Sequence, residues 1–131
     1  MTYHDLDRFT RSYIETALWS TTDNADDTGG EPLDRNYGPD DIASDTLARM
    51  AEDCRMFQCD NRAELDACGL SLERQGHKFW LNRNGHGAGF WDECFDRDAP
   101  EYEPLQRLSR DSKWASTFDL YIGDDGRIYG T

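Results

Sequence analysis

The sequence predicts a single α+β domain spanning residues 1–131, with two or three helices packed on a small antiparallel sheet of about four strands drawn as two hairpins. Three observations predict it. Apolar residues recur at three- and four-residue steps in two N-terminal stretches, they alternate in two later stretches, and no strand–helix–strand rhythm connects them. Four Trp, six Tyr and six Phe supply a core, so the length suits one folded unit.

Between residues 4 and 19, Leu6, Phe9, Tyr13 and Ala17 form a helical stripe that Ile14 and Leu18 widen. STTDNADDTGGEPLDRNYGPDD (20–41) follows without periodicity and predicts a long loop, a feature that is functional or disordered in a compact domain. Ser44 is placed to cap a second helix, with Leu47, Met50, Cys54 and Phe57 as its buried stripe and a continuation through Leu65 to Gly69. HKFWLN (77–82) alternates as a strand would, and the glycine-rich run after it suggests a hairpin returning through 88–92 with Trp80 beside Trp91. At least one of Gly85, Gly87 and Gly89 is then expected to take positive φ. Pro104, Leu105 and Leu108 suggest a short third helix. TFDLYIGDDGRIYG (117–130) closes the chain as a hairpin turning at Asp125-Gly126, with Phe118, Leu120 and Ile122 inward.

Charge narrows the function. Twenty-seven acids against fourteen bases give −13, a balance that repels phosphate backbones and anionic membranes. Direct nucleic-acid or membrane binding is therefore not expected. The segment from Ser20 to Asp45 concentrates the charge, with Asp23, Asp26, Asp27, Glu31, Asp34, Asp40, Asp41 and Asp45 against Arg35 alone. Carboxylates spread along such a face can occupy the arginine and lysine sites that hold DNA on another protein. The bland alternative is that the acidity only keeps the protein soluble. No apolar run reaches a membrane span and the N-terminus is too charged for a signal peptide, so a cytoplasmic protein is expected.

Candidate chemistry is sparse. His86 between Gly85 and Gly87, with His77 before the glycine run and Asp92 after it, holds the pieces of a general base or a metal-assisted hydrolytic site. A turn histidine packed on Trp80 or Trp91 explains the same residues structurally. The run is not a phosphate loop, lacking GxxxxGK and GxGxxG. Cys54, Cys59, Cys68 and Cys94 contain no CxxC pair and read as free thiols, and DNADD lacks the order of a calcium loop. Neither a cofactor nor a metal is expected. The residues placed at a partner surface are Asp23, Asp26, Asp27, Asp34, Asp40 and Asp41, with Trp80 and Trp91 as aromatic contacts.

WSTTDN (19–24), GGEPLD (29–34), GHKFWLNRNGHGAGFWDE (76–93) and DLYIGDDGRIY (119–129) together resemble a family of small acidic proteins encoded by bacteriophages and conjugative plasmids. NGHGAGFWD is the most specific part, and the resemblance lapses between residues 60 and 75 and between 94 and 114. It implies a mobile-element context rather than a mechanism. Small acidic proteins in that context are often inhibitors of host defence, of the anti-CRISPR or anti-restriction type. The expected function is thus a non-enzymatic protein, acting in the host cytoplasm, that blocks a host complex through that complex's basic nucleic-acid-binding surface. The alternatives are a small enzyme using His86 with Asp92 or His77, and a structural or regulatory phage protein without a defence role.

Overall fold

The computed structural model describes residues 2–23, 30–85, 87–114 and 116–131. Among these residues five α-helices run Arg8–Ser20 (α1), Ser44–Asp60 (α2), Arg62–Ala67 (α3), Leu72–Asn84 (α4) and Tyr102–Ser109 (α5). Two antiparallel ladders pair Thr22–Asp23 (β1) with Glu31–Pro32 (β2), and Leu120–Ile122 (β3) with Ile128–Gly130 (β4). The expected four-stranded sheet does not form: the described residues make a helical body carrying two separate two-stranded ladders. None of the described helices is long and apolar enough to cross a membrane.

One segment accounts for the missing sheet. Residues 77–82, expected as a strand, lie inside α4, and the hairpin expected over 77–92 is absent. Local signals dictate the helix. The Ser71 hydroxyl accepts the Arg74 backbone N–H at 3.2 Å as an N-cap, and Gly85 closes the other end at φ 64° with its N–H on the Leu81 carbonyl. Gly87 also has positive φ (72°) whereas Gly89 is extended, so the glycine run is a helix stop rather than a hairpin turn. After it the chain makes a 3₁₀ turn over Phe90–Glu93. Trp80 consequently packs edge-on to Tyr13 and Phe118, at ring separations of 5.2 and 6.3 Å, instead of beside Trp91.

α4 is buried against α1, and the two backbones are in close contact at Gly76. A Cβ there would sit 2.0 Å from the Phe9 carbonyl oxygen and 3.1 Å from the Tyr13 nitrogen. One turn along, Phe79 becomes the hub of the core. It stacks on Phe57 of α2 at 4.0 Å and on Tyr13 at 5.1 Å, and meets the edge of Trp114 at 5.4 Å. α2 buries Leu47, Met50, Cys54 and Phe57 as its periodicity predicts. It breaks at Asn61, whose amide donates to the Phe57 carbonyl at 3.1 Å, and resumes as α3 before Gly69 at φ 77°. α5 buries Pro104, Leu105 and Leu108 and packs on α3 and on the 90–93 turn.

The C-terminal hairpin forms around Gly126 at φ 78°, with Phe118, Leu120 and Ile128 buried. It also fastens the acidic segment. The Ala43 N–H donates to the Ile128 carbonyl at 2.8 Å, and Ile42 bridges to Ile128.

Replacing Gly76 by alanine forces two helix backbones apart, because the obstacle is a carbonyl rather than a movable side chain. Overpacking of this kind is expected to lower the unfolding free energy by about 3 kcal/mol, measured from the urea midpoint at unchanged slope. A variant as stable as the wild type would refute the close crossing.

Candidate functional site

From residue 33 to residue 43 the acidic segment is restrained rather than free. The Leu33 N–H donates to the Thr21 carbonyl at 2.9 Å and its side chain is fully buried, while Ile42 and Ala43 are buried at the far end. Between these anchors Asp34 and Asp40 are exposed, and neither forms an ion pair among the described residues. Asp41 is half-buried and accepts the Gly38 N–H at 2.8 Å, so it shapes the turn. Asp23 contributes its backbone to β1, opposite Glu31. Asp26 and Asp27 lie outside the described residues.

The second candidate set surrounds α4. His86 lies outside the described residues, and the remaining pair is committed elsewhere. His77 Nδ1 is 3.0 Å from the Thr16 hydroxyl, and its ring stacks on Trp19 at 5.8 Å. Asp92 turns to Lys78 instead, with Oδ1 2.6 Å from Nζ, and Glu93 lies 3.1 Å from the same ammonium and 2.7 Å from Arg74. Lys78 is only 7% exposed, so two carboxylates hold one buried cation and pin the 90–93 turn onto α4. Burial, then the nearby Lys78 and Arg74, lower the His77 pKa below its usual 6.5. Among the described residues, no group of three or more His, Cys, Asp or Glu is placed to hold a metal ion. Trp80 is buried, its indole N–H on the Ser20 hydroxyl at 2.8 Å, whereas Trp91 is 41% exposed and available to a partner. Cys54 and Cys68 are buried, Cys94 is half-buried and Cys59 is exposed, all as free thiols.

Sequence reasoning missed the strongest polar cluster. Arg83, 5% exposed, donates Nη1 to Asp53 at 2.9 Å and to the Tyr13 hydroxyl at 3.0 Å, and Nε to the Ser116 carbonyl at 3.1 Å. Its guanidinium lies 5.3 Å from the Trp114 ring centre and 5.4 Å from that of Phe118. Burial opposes its charge, but Tyr13 and Asp53 more than compensate and hold its pKa up. Burial likewise pushes the Tyr13 phenol and the Cys54 thiol well above their ordinary values, so both stay protonated and inert. The signal was present: Arg83 lies four residues after Phe79 and Asp53 one before Cys54. Only a helical reading of 72–84 brings them together.

The lowered pKa of His77 makes stability depend on pH. The unfolded chain binds a proton near 6.5 that the folded chain resists, so this contribution is complete above 6.5 and is lost as pH falls toward the lower folded value. Urea midpoints measured from pH 7.5 down to 5 should fall for the wild type and fall less for His77→Gln. Parallel curves would exclude His77 as the source. Compared with protein-family models, curated proteins and solved structures, the chain matches none of them.

Proposed function

We propose that this chain is a non-enzymatic binding protein whose acidic surface occupies the basic, nucleic-acid-holding face of another protein. In the mobile-element setting that its motifs resemble, that partner is a host defence complex of the CRISPR or restriction kind. The observation that carries the reading is the restraint of residues 33–42: buried Leu33 and Ile42 hold this stretch at its two ends while Asp34 and Asp40 face solvent. A free acidic loop would lose conformational entropy on docking, whereas a fastened one keeps most of its carboxylate geometry. The net charge of −13 adds long-range attraction to any basic face. The enzymatic alternative has less support, since Asp92 is tied to Lys78 and His77 to Thr16 and Trp19.

Asp34 and Asp40 are the informative positions, because Asp41 also shapes its own turn. The immobilised chain should capture a nucleic-acid-binding protein from host lysate, and double-stranded DNA should compete for it. Asp34→Asn/Asp40→Asn is expected to weaken that capture roughly tenfold at low salt and to leave the thermal midpoint unchanged, since exposed charges contribute little stability. The wild-type advantage should shrink at high salt. Capture indifferent to salt, DNA and the double substitution would sink the reading and favour a structural or regulatory role.

A further inference from the structure

An open cavity of about 490 Å³ lies between the C-terminal ends of α4 and α5, lined by Asn82, Arg83, Asn84, Arg110, Asp111 and Trp114 among others. This volume lies within the range that holds small-molecule ligands. Its acceptors are largely occupied. Asn84 Oδ1 accepts the Phe118 N–H at 2.8 Å, and the Asn84 amide covers the Trp80 carbonyl at 3.0 Å. The Asn82 amide covers the Ser109 carbonyl at 3.3 Å, and the Ser109 hydroxyl covers that of Leu105 at 2.9 Å. Asp111 accepts from the Asn61 amide at 3.0 Å and from the Lys113 backbone N–H at 3.2 Å. Both Asp111 oxygens and the Ser109 carbonyl at the end of α5 are thereby engaged.

What remains is a set of donors. Arg83 engages Nε and Nη1, whereas Nη2 has no hydrogen-bond partner among the described residues. The Trp114 Nε1 also lacks a partner among the described residues, but it is buried out of reach of the cavity and adds no donor to it. Arg110 makes no ion pair among them. Uncommitted donors around a cavity call for an acceptor, and two guanidinium groups call for a negatively charged one. Asp53 supports Arg83 from its other side, so the guanidinium is held in place before any ligand arrives. The cavity is larger than a bare oxyanion needs.

We propose that this cavity binds a small organic molecule bearing an oxyanion, a carboxylate or a phosphate. Arg83 and Arg110 hold the oxyanion. The site is separate from the acidic segment and does not depend on the function proposed for it.

The test follows the Trp114 indole N–H in ¹H–¹⁵N NMR spectra of the full chain, the resonance being assigned from its loss in Trp114→Phe. Benzoate and phenyl phosphate are titrated, with benzamide as the neutral isostere of the carboxylate. At least one of the two acids is expected to shift the resonance saturably, the tighter of them identifying the oxyanion, and benzamide is expected to leave it in place. Arg83→Gln would disturb the core, so Arg110→Gln is the informative variant. It should bind about tenfold more weakly with its thermal midpoint unchanged. The proposal is overturned if neither acid shifts the resonance at millimolar concentration. It is equally overturned if benzamide shifts it as strongly, or if Arg110→Gln binds like the wild type.

Discussion

The close approach of α1 and α4 at Gly76 is the constraint on which the rest of the molecule depends. With the Phe9 carbonyl 2.0 Å from where a Cβ would stand, the helices cross at backbone contact, and this brings Phe79 onto Tyr13. Phe79 also stacks on Phe57, which recruits α2, and lies perpendicular to Trp114, which draws in the chain after α5. The same crossing buries Arg83 beneath α1, where the Tyr13 hydroxyl and Asp53 meet it. A single missing methyl group thus determines both the aromatic core and the polar cluster inside it.

Much of this was legible in the sequence where periodicity alone decides. The stripes of α1 and α2, the short α5 around Pro104, and the turn at Asp125-Gly126 follow from spacing and turn chemistry. α4 was not legible by that route. His77, Phe79 and Leu81 alternate as in a strand, and a central glycine weakens the case for a helix. Its burial extends to Lys78 and Arg83, polar residues buried only because Asp92, Glu93 and Asp53 meet them. A period-based reading assigns such residues to solvent, so it cannot find the helix face that carries them. The boundary signals, Ser71 at the start and Gly85 at the stop, carried the correct answer.

The candidate surface divides along the same line. That the acids of 20–45 gather in one segment is visible from composition, but the restraint of residues 33–42 is not, because Thr21 and Ile128 anchor Leu33 and Ile42 from elsewhere in the chain. Asp41 looked equivalent to Asp40, yet only the former closes a turn. Trp80 and Trp91 looked like a pair, and the helix sends one into the core and leaves the other at the surface. Position along the chain gives the inventory of a surface. Its geometry comes from contacts between distant residues.

The fastening of the acidic segment by β4 has a consequence for the order in which the molecule assembles. Gly130 donates to the Thr46 hydroxyl at 3.2 Å across 84 residues of sequence, next to the Ile42–Ile128 bridge. Contacts of such separation close late, because the intervening chain must be ordered before they repay the loop entropy. During synthesis the ribosome delivers the acids well before their fastener. Until β4 emerges, Asp34 and Asp40 belong to an unfinished loop, and the acidic face acquires its fixed geometry only after that strand has docked.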